Sequence, residues 1–454
     1  MPSDTPHTPH HSGSPHPQRW RLLTLLGLAQ FMLIADVTVV NVALPAISRD
    51  LTLTGSGLTW VVTAYTLFFG ALLMAGGRLA DRFGAPRTFL AGLALFTAAS
   101  AASGLAADAA TLIAARSTQG LGAALLSPAA MALVTALFQG PERHRALGAW
   151  AAIGGAGAAI GVLLGGILTD GPGWRWIFYV NLPVGALVLG LVPLLLGRAP
   201  RTPGGARTAA RSRVGVPGVL LLTLASAALV YGLTERSWLW TVGALAAGVL
   251  LAVSERRSRH PVMPRALPGR RNLLGGAAVM LGAAGLLVTA FYLSSLHIQV
   301  SLGRSPLVTG LAFLPAAVAV TAGAHLGSRL VPRFGWRPLA AASFALAAAG
   351  AAVTTLGGLW TGLVPGFALL ALGLGAAFVC ATTAALSEVS PDHTGVASGL
   401  VGTSHELGAA VGIAAFASGG FTTLALPALA LALAAPLLLP RGRPAVSSAH
   451  AMAH

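Results

Sequence analysis

The sequence of 454 residues has no lysine, a single cysteine and little charge of either sign. Charged residues make up only 9% of it, against about 25% in a soluble domain. Hydrophobic residues make up 55%, and the mean hydropathy is +0.77. A chain this long with so little charge cannot cover a water-facing surface, so its solvent is largely lipid. All 28 basic side chains are arginine, which excludes a Walker A phosphate loop and its Gly-Lys pair. An ATP-driven pump would therefore need a partner chain. The lone Cys380 excludes an internal disulfide and a Cys-based metal cluster; it lies in an apolar run and reads as packing. No His-Glu-x-x-His pair, no Gly-x-Ser-x-Gly elbow and no substantial soluble segment is present, which argues against a membrane enzyme. No metal and no cofactor is expected.

What the chain does have is a series of apolar runs, each long enough to cross a ~30 Å hydrocarbon core. Fourteen are placed near 22–45, 57–77, 87–107, 110–138, 146–169, 175–197, 214–233, 238–254, 272–296, 307–331, 337–357, 360–386, 395–418 and 420–440. A net charge of +16 would suggest a nucleic-acid partner in a soluble protein. Here the arginines sit in the short connections, where they set orientation instead. With both termini inside, 23 of them fall on the inward side and only Arg49, Arg175, Arg236 and Arg304 on the outward side; Arg116 is within a span. The basic loop from Arg256 to Arg271 could also touch anionic headgroups. Residues 1–18, rich in Pro, Ser and His (His7, His10, His11, His16), read as a disordered cytoplasmic tail rather than a signal peptide.

An internal repeat is visible. Arg78-Leu79 followed by Arg82-Phe83-Gly84 recurs 251 residues later as Arg329-Leu330 followed by Arg333-Phe334-Gly335, after the second and the tenth runs. Two six-helix halves separated by a two-helix insert give that shift. A parallel repeat of this kind points to a transporter whose site lies between the halves.

Several ionisable residues interrupt the apolar runs. Asp36 lies about 14 residues into the first, roughly 21 Å along a helix. A carboxylate at that depth costs about 2.5–3.5 kcal/mol and is a functional-site hypothesis by default; the structural alternative is a helix-to-helix hydrogen bond. Glu406 lies mid-run among Gly399, Gly402, Thr403, Ala409 and Ala410 at helical spacing, a small-residue face that implies packing against protein or a cavity. It is a candidate proton carrier, with a structural acid as the alternative. His405 is turned ~100° from it on the helix and reads as packing. Arg116 shares a face with Gln119, Gly120 and Ala123, so it points inward to pair with an acid or to clamp two helices. His297 and His325 read as helix-interface residues.

Four stretches carry a family resemblance: Asp36-Val-Thr-Val-Val-Asn41-Val-Ala-Leu-Pro45; Gly77-Arg78-Leu79-Ala80-Asp81-Arg82-Phe83-Gly84; Arg116-Ser-Thr-Gln119-Gly120; and Trp174-Arg175-Trp176-Ile177-Phe178-Tyr179-Val180-Asn181-Leu182-Pro183. Together they resemble the fourteen-helix drug:proton antiporter branch of the major facilitator superfamily over nearly the whole chain. The resemblance implies an all-α membrane bundle of two six-helix halves (19–200 and 261–440), a linker with two accessory helices (201–260), and cytoplasmic tails at 1–18 and 441–454. It implies a monomer in the inner membrane that exchanges protons for small lipophilic or cationic compounds. Proton coupling is expected at Asp36, Glu406 and Arg116. A conformational latch is expected at Gly77, Arg78, Asp81, Arg82 and Gly84, and cavity contacts at Asn41, Trp60, Tyr65, Gln119 and His405. One departure stands out: where antiporters of the family carry a Gly-Pro pair in the fifth helix, Gly161 is followed by Val162, although the ladder Gly157, Gly161, Gly165 keeps the spacing for close helix packing. Export of one natural product or lipid, or a non-transporting sensor, are the alternatives.

Overall fold

The computed structural model describes residues 17–53, 55–138, 140–196, 216–258, 270–389, 394–417, 419 and 421–439. The tail histidines, the stretch 197–215, the loop 259–269 and the residues past 439 lie outside the described residues.

Fifteen α-helices follow one another among these residues. The first seven are α1 Pro17–Asp50, α2 Ser56–Phe83, α3 Ala85–Gly104, α4 Ala109–Leu137, α5 Gly140–Asp170, the single turn α6 Trp176–Tyr179 and α7 Asn181–Leu196. Then come α8 Val216–Thr234 and α9 Trp238–Arg257, followed by α10 Arg271–Leu296, α11 Pro306–Phe334, α12 Trp336–Val353, α13 Val364–Leu386, α14 Thr394–Phe416 and α15 Thr422–Leu438. Wide π-turns extend α10 through Ser301 and open α13 at Leu359. Most of these sequences are apolar on every side, the pattern of helices whose surroundings are other helices or lipid. In hydrocarbon a helix satisfies its own N–H and C=O groups. Among the described residues, eleven helices are long and apolar enough to cross a membrane, and Thr423–Leu438 is a shorter apolar helix.

Helix ends follow from local chemistry. Asp108 caps α4, accepting from the Thr111 amide at 2.8 Å and its hydroxyl at 3.0 Å, and these donors hold the Asp108 carboxyl below its ordinary range. Helices α2 and α11 stop at Gly84 (φ 91°) and Gly335 (φ 81°), a backbone conformation that glycine adopts without strain. The repeated Arg-Phe-Gly segment is thus a repeated helix stop.

The packing repeats as well. The pairs α1–α5, α2–α4, α3–α4 and α3–α7 recur as α10–α14, α11–α13, α12–α13 and α12–α15. The two sets meet along two seams, α2 against α14 and α5 against α11. Glycines set the closeness of each approach. A Cβ on Gly166 would stand 2.9 Å from the Pro306 carbonyl, and one on Gly310 would stand 2.6 Å from the carbonyl of Val162, the residue that follows Gly161. Within the first set, the ladder Gly157, Gly161, Gly165 faces α1: their Cβ atoms would lie 3.3 Å from Ile34 Cβ, 2.9 Å from Ala35 Cα and 3.0 Å from Val39 Cα. Helix α8 rests on both α2 and α14, and α9 rests on α8 with most of its apolar surface outward.

Candidate functional site

Six helices of the first set contribute to a cage around the Asp36 carboxylate. Arg116 of α4 donates from Nη1 to Asp36 Oδ2 at 2.5 Å, with the two side chains 1% and 0% exposed, so the pair is sealed from water. Gln119, one turn along α4, accepts from Arg116 Nη1 at 2.8 Å and donates from Nε2 to Asp36 Oδ1 at 3.0 Å. Asn181, the first residue of α7, donates to the same Oδ1 at 3.1 Å. Both amides also donate to the Ser100 hydroxyl of α3, at 2.7 and 3.2 Å. Arg116 Nε donates to the Val61 carbonyl of α2 at 3.3 Å, and its guanidinium lies over the Tyr65 ring at 4.4 Å and near Phe178 at 5.8 Å. A buried ion pair needs this many extra bonds, because the Coulomb gain alone does not repay desolvation of two charges. Gly120 completes the fit: a side chain there would press on the main chain of α2 at Phe69 N, 3.1 Å away.

Glu406 occupies a different setting. It lies in α14 on the seam with α2, where a Cβ added to Gly70 would come within 2.7 Å of Glu406 Cβ. The small-residue face continues along the seam, with Gly402 against Leu73 and Gly399 against Met74. Its side chain is 14% exposed, against 0% for Asp36, so it is less enclosed by protein than that carboxylate. His405 lies closer to it than helical spacing suggests, with Nδ1 3.1 Å from Glu406 Oε1. Both side chains are long enough to swing toward each other across the ~100° between adjacent residues. The His405 ring also packs on Phe378, 5.5 Å between centroids.

The other residues singled out in the sequence fall in several places. Asn41 is buried and donates to the Val37 carbonyl of its own helix at 2.8 Å, with Oδ1 unpartnered. Trp60 stacks on Tyr231 of α8 (6.2 Å), which meets Trp240 of α9 (5.1 Å). Tyr65 and Gln119 belong to the Asp36 cage. The segment Gly77–Gly84 forms the end of α2 and its glycine stop: Asp81 and Arg82 are exposed, Arg82 covers the Phe83 ring at 5.3 Å, and Arg78 feels the charges of both Asp81 and Glu255 of α9. His297 packs edge-on against Phe421. Among the described residues no three His, Cys, Asp or Glu side chains gather as a metal site would require.

Two cage members went unassigned from sequence. Asn181 stands inside the Trp174–Pro183 stretch, and an amide opening an otherwise apolar helix was the available signal. Ser100 gave none, being one small residue in an alanine-rich run. The same stretch also ties the far end of this half together. Arg175 and Trp174 donate to Asp50 at 2.5 and 2.9 Å, Arg175 donates to the Ala106 carbonyl at 3.1 Å, and Tyr179 donates to the Gly104 carbonyl at 2.9 Å.

Residues 26–413 match the family model described as Major Facilitator Superfamily. The chain is 40% identical over 345 residues to a puromycin resistance protein of Streptomyces alboniger, an alignment covering 74% of this chain and 67% of that one. It is 41% identical to a lincomycin resistance protein of Streptomyces lincolnensis (72% and 69% covered) and 38% identical to a cephamycin export protein of Amycolatopsis lactamdurans (72% and 68%). Among solved structures, an auto-inhibited peptide transporter of the POT family superposes with a TM-score of 0.67 over 94% of this chain and 98% of that one. At 19% identity this is a likeness of fold.

Proposed function

The chain belongs to the Major Facilitator Superfamily, and from that premise we propose that it is a proton-coupled antiporter exporting small lipophilic or cationic compounds across the cytoplasmic membrane. It is a multi-pass membrane transporter of the drug-efflux kind and not an enzyme. The observation that carries the proton coupling is the sealed Asp36–Arg116 pair. While Asp36 is ionised, the cage is neutral and both carboxylate oxygens are bonded. A proton on Asp36 leaves the Arg116 charge buried without its counter-ion, and leaving one partner of a buried pair unmatched costs about 3–5 kcal/mol. That energy favours a rearrangement of α1, α4 and α7 that lets Arg116 find other company. Glu406, on the seam between the two packing sets and less enclosed than Asp36, exchanges protons as the seam opens and closes. A cationic substrate drawn to the Glu406 carboxylate is released when that carboxyl takes up a proton.

The architecture that goes with this reading has fourteen spans: the eleven long apolar helices together with α3, α14 and α15. The halves are 19–200 and 261–440, the accessory pair lies within 201–260, and the tails at 1–18 and 441–454 are cytoplasmic, as the arginine distribution supports. The latch of Gly77–Gly84, in which Arg78 feels the charges of Asp81 and Glu255, changes partners between the inward- and outward-open states, and the protein works as a monomer. A second reading, a dedicated exporter of one natural product, is favoured by the names of its relatives, several of which carry a single antibiotic. Accumulation of a panel of dyes and antibiotics, measured in cells with and without the protein, tests both. Reduced accumulation of chemically unrelated cations supports broad efflux, reduction of one compound alone supports the dedicated exporter, and no change for any compound refutes export.

A further inference from the structure

Helix α8 lies over the stretch of seam that carries Glu406. Near its start, Val219 packs in one cluster with Met74 and Ala75 of α2 and with Val396 of α14. Eleven residues on, about 16.5 Å along the helix, Val230 packs in another cluster with Leu67 of α2 and with Ala410 and Ala414 of α14. Between these two points α2 meets α14 directly, Gly70 against Glu406 and Leu73 against Gly402. The other side of α8 is exposed at Leu220, Leu224 and Tyr231, so the helix stands between this stretch and the surrounding lipid. The seam of α5 and α11 has no accessory helix packed on it among the described residues, and Ile160, Ile167, Leu311 and Val318 of those two helices are exposed.

The two attachments of α8 differ in kind. Toward α2, Trp60 lies against Tyr231 at 6.2 Å, and Tyr231 meets Trp240 of α9 edge-on at 5.1 Å. Ring pairs prefer particular geometries and so resist sliding. At the opposite end of the hairpin, Arg78 of α2 feels the charge of Glu255 of α9. The hairpin itself is closely joined: a Cβ on Gly232 would stand 2.6 Å from Thr241 Oγ1 and 2.7 Å from Thr241 N. Toward α14 the clusters are aliphatic on both sides, Val219, Ala227 and Val230 with Val396, Ala410 and Ala414. Apolar contact has no preferred direction, and helices packed this way can shear past one another.

We propose that the α8–α9 hairpin is a strap that travels with the first half and slides on α14, keeping the seam around Glu406 covered from lipid while the halves rock. A fixed joint to both halves would lock the rocking. A joint to neither would open Glu406 to hydrocarbon, where an ionised carboxylate is costly. This inference rests on the reading of the chain as a transporter with rocking halves.

The test uses the full chain with Cys380→Ala, reconstituted in proteoliposomes with ethidium as the probe. Two double variants are made in that background, Ala75→Cys with Val219→Cys and Val396→Cys with Val219→Cys. Each pair lies within one cluster, so a short bifunctional thiol reagent can bridge it, and loss of maleimide-reactive thiols in the denatured chain measures the bridging. Bridging α8 to α14 should slow ethidium transport at least about ten-fold, because it pins the moving seam. Bridging α8 to α2 should leave transport within about two-fold of the unbridged protein, because those helices move as one body. The bridging rate of the α14 pair should also change when the pH gradient is reversed, and that of the α2 pair should not. Retained transport with α14 bridged, lost transport with α2 bridged, or equal bridging behaviour of the two pairs overturns the proposal. If the wild type itself carries no ethidium, it is the export reading that fails.

Discussion

Asp36→Asn keeps the shape of the side chain and removes its charge. Around that position stand three donors, Arg116 Nη1, Gln119 Nε2 and Asn181 Nδ2, all aimed at the two carboxylate oxygens. An amide offers one acceptor oxygen, and its NH2 must then face a donor. Removing one partner of a buried pair costs about 3–5 kcal/mol. The Tyr65 ring and the bonds of Arg116 to Gln119 and Val61 persist, and a desolvated cation on an aromatic face retains about 2 kcal/mol, so the loss should fall near the lower bound, about 3 kcal/mol. Transport should be abolished. Asp36→Asn combined with Arg116→Met removes both charges and should recover about 2 kcal/mol of that loss without restoring transport. The assay is a double-mutant cycle on unfolding of the purified protein in detergent, with uphill transport measured in parallel. A coupling energy below about 0.5 kcal/mol, or an Asp36→Asn protein as stable as wild type, would refute the argument that each charge is held in place by the other.

Glu406→Gln should abolish net uphill efflux while substrate exchange continues, because glutamine keeps the shape and cannot carry a proton; retained pH-driven uphill transport would move the coupling role elsewhere. Gly161→Leu should cripple folding by about 3 kcal/mol or more, since its side chain would enter the main chain of α1 at Ala35. Gly190→Leu in α7, where an added Cβ meets nothing within 4 Å, should be nearly neutral. Equal yields of the two proteins in detergent would contradict the packing assigned to the ladder.

Much of the fold could be read from residue order, because a run of about twenty apolar residues has few alternatives in lipid. The repeat at Arg78–Gly84 and Arg329–Gly335 pointed to two related halves, and glycine is needed at both stops for a positive φ. The candidate site was legible one residue at a time. Asp36 reads as a functional acid from its depth in an apolar run, and Arg116 as inward-facing from Gln119, Gly120 and Ala123 on its own helix. Their meeting could not be read, since 80 residues separate them and helical periodicity says nothing about which helices adjoin. Gln119 and Tyr65, expected as cavity contacts, both lie against Arg116 in the structure. His405 shows the limit of helical-wheel reasoning: adjacent residues point apart at Cα, yet two long side chains still meet.

The central claim is that protons drive the export. The direct measurement is ethidium transport by the wild-type protein in proteoliposomes under an imposed pH gradient, with and without an ionophore that collapses it. The account predicts accumulation against the ethidium gradient that reverses when the pH gradient is reversed and vanishes with the ionophore. Transport that reaches only equal concentrations on both sides, whatever the pH gradient, would contradict it.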